Sequence, residues 1–222
     1  MTGGKGRFIT FEGGEGVGKS TQLARLAAHL RGLGLETVTT REPGGTPKAE
    51  TLRGILLSGR VAPLGTLAEA ALFAAARIDH IDRLIAPALA RGAWVLCDRF
   101  VDSTRAYQGA RGGVEPGALA LLEKAAVGGL KPDLTIILDV APEEGLARAA
   151  VRRESAGARA DRFEAEGAGF HEGLRRAFLD IAAQEPERCC VVNGALPPDE
   201  VARVIRQLVD ARFLDAEPAA AQ

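Results

Sequence analysis

Short apolar runs alternate along the chain with longer stretches in which apolar residues recur every three or four positions. The short runs, Arg7–Glu12, Glu36–Thr39, Ala93–Cys97, Leu134–Asp139 and Cys190–Asn193, predict five strands. The longer periods predict helices over Lys19–Gly32, Ala49–Leu57, Thr66–Arg91, Pro116–Val127, Pro142–Arg153, Gly169–Gln184 and Pro198–Ala211. Strands taken in turn with helices predict an α/β fold of three layers, a five-stranded parallel sheet with helices on both faces. Unbroken runs such as Trp94-Val95-Leu96-Cys97 and Thr135-Ile136-Ile137-Leu138 suit central strands buried on both sides.

Local chemistry sharpens the boundaries. Thr66-Leu67-Ala68-Glu69 reads as a capping box, in which hydroxyl and carboxylate satisfy opposite amides. Pro87 removes one N–H and should kink or divide its long helix, and Gly92 can end it in a left-handed conformation. Pro142 suits a first helical position, with Glu143 and Glu144 at the positive end of the helix. The segment Arg152–Gly169 has no clean period and carries Arg152, Arg153, Arg159 and Arg162. It reads as a solvated loop or as a mobile lid over a charged ligand. Residues 1–214 are expected to form one domain and 215–222 a disordered tail.

Charge narrows the function. The 28 Lys and Arg nearly balance the 29 Asp and Glu, so neither nucleic acid nor a membrane surface is an expected partner. No apolar run is long enough to span a bilayer, and the N-terminus lacks the apolar stretch of a signal peptide. Three cysteines, two of them adjacent at Cys189 and Cys190, and three scattered histidines offer no metal-ligand spacing. A reduced, cytoplasmic protein is expected, with Cys189-Cys190 as a small apolar pair in a strand. Of the 28 basic residues 23 are Arg, and 40 residues are Ala; this is read first as compositional bias, though guanidinium groups also suit phosphate oxygens.

Gly13-Gly14-Glu15-Gly16-Val17-Gly18-Lys19-Ser20 fits G-x-x-x-x-G-K-[ST] in full, between an expected strand and an expected helix. The glycines let backbone amides turn inward, and the helix start adds positive potential for phosphate. Lys19 can reach β- and γ-phosphate oxygens, and the Ser20 hydroxyl can ligate magnesium. A nucleoside triphosphate site follows. The N-K-x-D guanine-reading element is absent, since the only Asn is Asn193, followed by Gly194. A dinucleotide fingerprint also fails, because Lys19 stands where its third Gly is needed.

Two further segments lie at expected strand ends, where open α/β sheets bind ligands. Asp98 is placed to hold magnesium through water, and Arg99 to meet a phosphate. The following Phe100–Gly109 holds the only Tyr of the chain, Tyr107, together with Thr104 and Gln108, polar groups able to read a base or sugar. Arg41-Glu42-Pro43-Gly44-Gly45-Thr46 forms a loop at another strand end.

These segments together resemble the bacterial thymidylate kinases, which phosphorylate dTMP with ATP. The resemblance rests on residues 11–21, Thr40–Thr46, Leu72-Phe73-Ala74-Ala75-Ala76-Arg77, Asp98–Gly109, Lys131–Val140 and Asp161-Arg162-Phe163-Glu164, in order over residues 8 to about 165. It implies a P-loop kinase fold with a mobile lid, ATP and dTMP as substrates, Mg2+ as cofactor and a homodimer.

It also implies roles. Gly13, Gly14, Glu15, Gly16, Val17, Gly18, Lys19, Ser20 and Thr21 would hold ATP, with Arg148 packing on adenine. Phe73 would stack on thymine, Arg77 would bond its O4 side, and Thr104 would meet its N3 edge with Gln108 nearby. Tyr107 would crowd the sugar 2′ position. Glu15 and Glu42 would approach the sugar hydroxyl and the magnesium waters, with Ser20 and Asp98 holding the metal. Arg53 and Arg99 would lie near the acceptor phosphate, with Arg41 in support. One family type carries a catalytic arginine in the phosphate loop; here that loop has none, so the lid type is implied, with Lys19, Arg99, Glu15 and either Arg153 or Arg159 as the catalytic set. Other readings are a different small-molecule P-loop kinase, or a regulator that binds nucleotide without transferring phosphate.

Overall fold

The computed structural model describes residues 6–156 and 162–215. Five parallel strands, β1 (Phe8–Glu12), β2 (Thr37–Arg41), β3 (Trp94–Asp98), β4 (Leu134–Asp139) and β5 (Cys189–Asn193), lie in the order β2-β3-β1-β4-β5. Around them run α1 (Lys19–Gly32), α2 (Pro47–Leu57), α3 (Thr66–His80), α4 (Ala86–Ala90), α5 (Val101–Thr104), α6 (Pro116–Val127), α7 (Pro142–Ala156), α8 (Ala168–Gln184) and α9 (Pro198–Phe213).

The unbroken apolar runs divide by alternation. Ile9, Phe11, Trp94, Leu96, Leu134, Ile136 and Leu138 face one layer, where they pack with Leu23, Leu26 and Leu30 of α1 and Val201, Ile205 and Val209 of α9. Their neighbours Phe8, Val95 and Cys97 face the opposite layer with Ile81, Ile85 and Phe100. Ile137 and Cys189 join Leu174 and Phe178 of α8 on that second side. Burial of both faces is why these strands tolerate no polar alternation. Thr10 and Thr135 are exceptions that satisfy each other through a 2.7 Å hydroxyl bond.

Several local expectations are corrected. Strand β2 runs on to Arg41 rather than stopping at Thr39, so Arg41 sits at the strand end and its side chain pairs with Glu50 at 3.2 Å. Helix α2 begins at Pro47, two residues before the expected start, because Thr46 caps it by accepting from the Ala49 amide at 3.2 Å. The capping box at Thr66 does not form: Gly65 is the cap, and Glu69 is turned inward to Gln108 and Arg162. Pro87 divides the long helix through a widened π-type turn, Ile81–Ile85, just ahead of it, which accommodates the missing donor. Gly92 is left-handed as expected, at φ 87°. Residues 101–111, read only as a motif, are helical, with α5 passing into a π-type turn over Arg105–Arg111. Helix α7 extends to Ala156 and α8 starts at Ala168, which shortens the irregular segment from both ends. Its positions 157–161, Arg159 among them, and residues 216–222 of the expected tail lie outside the described residues.

Candidate active site

The carboxyl ends of β1, β3 and β2 open into a cleft of about 790 Å³. Strand β1 sits between β3 and β4, so the loops leaving β1 and β3 face each other across this mouth. Ligands bind at such switch points in open parallel sheets. The phosphate loop turns at Gly13, Gly16 and Gly18, which have φ of 128°, 67° and 96°. Gly16 is the tightest: a Cβ there would lie 1.8 Å from the Gly145 carbonyl oxygen of α7. Lys19 opens α1, and its Nζ donates to the carbonyls of Gly13 at 3.2 Å and Gly14 at 2.6 Å. Burial, with the nearby Arg99 charge, pushes its pKa down to about 8.

Arg99 joins the two facing loops. Its guanidinium donates to the Gly13 carbonyl at 3.0 Å, to Ser103 Oγ at 3.1 Å and to Glu15 Oε1 at 2.8 Å. Tyr107 donates to the same Glu15 oxygen at 2.6 Å, and its ring lies beneath the guanidinium, 5.2 Å from ring centre to carbon. Burial opposes ionisation of Glu15, yet the Arg99 and Lys19 charges and the Tyr107 hydroxyl outweigh it and hold the carboxyl at about 2. Arg99 is also the one described non-glycine residue with positive φ, 71°, a strain typical of functional turns.

The opposite wall carries a second group. Arg77, 3% exposed, donates through Nε to Glu42 Oε2 at 2.7 Å. Its NH2 group donates to the Phe100 carbonyl at 3.1 Å and to Thr104 Oγ1 at 3.0 Å. Arg53 donates to the Pro43 carbonyl at 2.9 Å, and Gln108 to Glu69 at 3.2 Å. Phe73 faces the cleft with its ring 6.4 Å from that of Phe163. Arg41, Arg53, Thr104, Tyr107, Gln108 and Arg148 all line the same cleft. Arg148 reaches it from α7, donating to the Gly194 carbonyl at 3.0 Å.

Ser20 Oγ donates to Asp98 Oδ2 at 3.0 Å. One hydroxyl and one carboxylate are too few for an all-protein metal cage, and the described residues contain no cluster of three acidic, His or Cys ligands. That sparse oxygen set suits Mg2+, which keeps several waters and completes its shell with phosphate oxygens.

Of the two arginines expected near the γ-phosphate, Arg153 does not line the cleft and Arg159 lies outside the described residues, whereas the neighbouring Arg152 lies on the cleft wall. Arg152 and Arg153 both pair with Glu164, at 3.2 Å and 2.7 Å. Three residues that the sequence did not single out complete the site. Glu12, fully buried at the end of β1, accepts from the Phe100 and Ser103 amides at 2.7 Å and 3.3 Å and from Ser103 Oγ at 2.6 Å. It thereby clamps the turn carrying Arg99. Asp102, also fully buried, holds Arg188 at 2.7 Å beneath that turn. His80, at the end of α3, contacts Glu42. A carboxylate adjoining the phosphate loop, Glu12, was the one visible signal; the others depend on tertiary approach.

A family model for thymidylate kinase matches residues 11–205. The chain belongs to the thymidylate kinase family. It is 57% identical over 219 residues to a thymidylate kinase of Rhodopseudomonas palustris strain TIE-1, covering 98% of this chain and 94% of that one. A Bradyrhizobium sp. strain BTAi1 thymidylate kinase is 55% identical, with coverage of 98% and 95%. The crystal structure of an Ehrlichia chaffeensis thymidylate kinase superposes with a TM-score of 0.74 at 31% identity, over 92% of this chain and 98% of that chain. The family match spans both the phosphate loop and the Arg77 wall of the cleft.

Proposed function

We propose that the chain transfers the γ-phosphate of ATP to dTMP, giving dTDP for dTTP synthesis. The observation that carries this reading is the pairing of a phosphate-loop wall with an acceptor wall across one cleft, joined by Arg99. Thymidylate kinase relatives at more than half identity support the same chemistry.

On this reading ATP lies along Gly13–Thr21, with Lys19 leaving the loop carbonyls for the β- and γ-oxygens and Arg148 against the adenine. Mg2+, held by Ser20 and through water by Asp98, would supply neutralising charge to those oxygens. The dTMP base enters between Phe73, Arg77, Thr104 and Gln108, with Tyr107 and Glu42 at the sugar. Arg53 and Arg99 hold the acceptor phosphate so that its oxygen attacks in line. No side-chain nucleophile is needed, since phosphoryl transfer is chiefly a matter of placement and charge. Glu15, kept ionised by Arg99 and Tyr107, orients the bridge between the two substrates. The candidates for the γ-phosphate are Arg153 and Arg159, joined by Arg152, whose place on the cleft wall supports it.

We infer a cytoplasmic homodimer from the family likeness and from the reduced-thiol composition. No helix among the described residues is long and apolar enough to cross a membrane. Sedimentation equilibrium tests the dimer. A coupled ADP-release assay across dTMP, dUMP, UMP, CMP, AMP and thymidine tests the activity. Turnover fastest with dTMP is expected, with some dUMP activity because one methyl group is worth only about 1–3 kcal/mol. Thymidine turned over as well as dTMP would overturn the acceptor, and nucleotide binding without any transfer would make the chain a regulator.

A further inference from the structure

His80 is wholly buried at the end of α3, and both of its ring nitrogens are engaged. Nδ1 lies 3.0 Å from Glu42 Oε1, and Nε2 lies 2.7 Å from Thr40 Oγ1. A carboxylate accepts at this edge, so Nδ1 carries a proton toward Glu42, and Nε2 meets the Thr40 hydroxyl, which can serve as either donor or acceptor. The other carboxylate oxygen of Glu42 is taken by Arg77 Nε at 2.7 Å. Arg77 and His80 stand three residues apart on one helix face and grip the two oxygens of one carboxylate. Arg77 then passes the constraint to Thr104 at 3.0 Å. The backbone makes room for the ring: Gly45 has φ 86°, and a Cβ there would lie 2.5 Å from His80 Nε2.

We propose that His80 is a positioning residue for the acceptor nucleotide, fixing Glu42 and through it Arg77 and Thr104 before that nucleotide enters. This rests on the reading of the Arg77 wall as the dTMP pocket. The Thr40–His80–Glu42–Arg77–Thr104 chain spans β2, α3 and α5, three elements with separate backbone anchors. A pocket set in advance spares the ligand the cost of ordering these side chains.

The test compares His80→Leu, which fills similar space without polar atoms, with His80→Asn, whose amide nitrogen matches Nδ1, and His80→Gln, whose amide matches Nε2. In His80→Leu the KM for dTMP should rise about ten- to hundred-fold, the range of a lost hydrogen bond to a charged group, while the KM for ATP stays within about two-fold. His80→Asn should recover most of that loss and His80→Gln little of it. Equal effects of Leu and Asn, or KM values for both substrates rising together, would reduce His80 to a packing residue and overturn the proposal. Nitrogen-15 NMR of the imidazole in the ligand-free protein separates this claim from the choice of acceptor. A ring protonated at Nδ1 whose signal shifts in Glu42→Gln is expected, and a ring with no proton on Nδ1 overturns the relay whichever nucleotide the enzyme uses.

Discussion

Arg99 and Glu15 meet at 2.8 Å, so the turn after β3 is tied directly to the phosphate loop. Arg99 holds this pair from a left-handed backbone, φ 71°, which costs a non-glycine residue roughly 1–2 kcal/mol. Function and stability therefore pull apart at this position. Arg99→Gly should relieve the backbone strain and be more stable than Arg99→Ala by about 1 kcal/mol in chemical denaturation. Both variants should lose at least about a hundred-fold in kcat, because a guanidinium aimed at transferring phosphate is removed. An Ala variant as stable as the Gly variant would show that the turn is relaxed.

Glu12 gives the enzyme a distinct pH signature. Burial, reinforced by the Asp102 charge, raises its pKa from 4.5 to about 7. A carboxyl that binds its proton more tightly when folded stabilises the fold fully below pH 4.5, and that contribution is lost as pH rises through about 7. Denaturant titrations of wild type and Glu12→Gln should thus give a stability difference that shifts toward the variant between pH 5 and pH 8. Parallel curves over that interval would mean that Glu12 titrates alike in both states.

The layered sheet was legible because both faces of every central strand are covered, which leaves an unmistakable apolar run at Trp94–Cys97 and Leu134–Asp139. The phosphate loop was legible because backbone geometry dictates its residue types. Helix α5 was not, since its four residues carry no period and its start is secured from outside by Glu12. Thr66 and Glu69 show the converse. A sound local capping signal is overridden because the Glu69 carboxylate finds Gln108 and Arg162 in the interior. Arg99, Arg77 and Glu42 could be nominated from strand-end position and family likeness. Their partners Glu12, His80 and Asp102 come from segments too far apart in sequence for spacing to reveal.

Asp102 is buried beneath the Arg99 turn and depends on two cations, Arg188 at 2.7 Å and Arg105 at 3.2 Å. Arg188 also touches Thr135 at 2.6 Å, so it ties the start of β5 to the sheet centre. Arg188→Met keeps much of the side-chain length but strips the nearer charge from a buried carboxylate. Such a loss costs about 3–5 kcal/mol when no partner remains; with Arg105 still present, about 2–3 kcal/mol is expected in urea denaturation. A change below about 0.5 kcal/mol would mean that Arg105 alone suffices.

Arg152 and Arg153 are neighbours on α7 that share Glu164 but differ in freedom. Arg153 makes the shorter contact, 2.7 Å, and is 28% exposed, whereas Arg152 sits at 3.2 Å and is 61% exposed. An exposed side chain gains little from such a pair and surrenders it at small cost, and Arg152 already lies on the cleft wall. The polyphosphate of ATP, with more charge than one carboxylate, should draw Arg152 off Glu164 and leave Arg153 in place. Arg152→Ala is therefore expected to lower kcat by at least about ten-fold with little change in Tm, since transition-state charge is lost but no packing is. Arg153→Ala should do the opposite, lowering Tm by a few degrees with kcat within about three-fold, because its pair fixes α7 to the segment that follows. Steady-state kinetics and thermal denaturation of both variants decide between them. A larger kcat loss in Arg153→Ala would transfer the γ-phosphate role to Arg153 and leave Arg152 as the residue that merely supports Glu164.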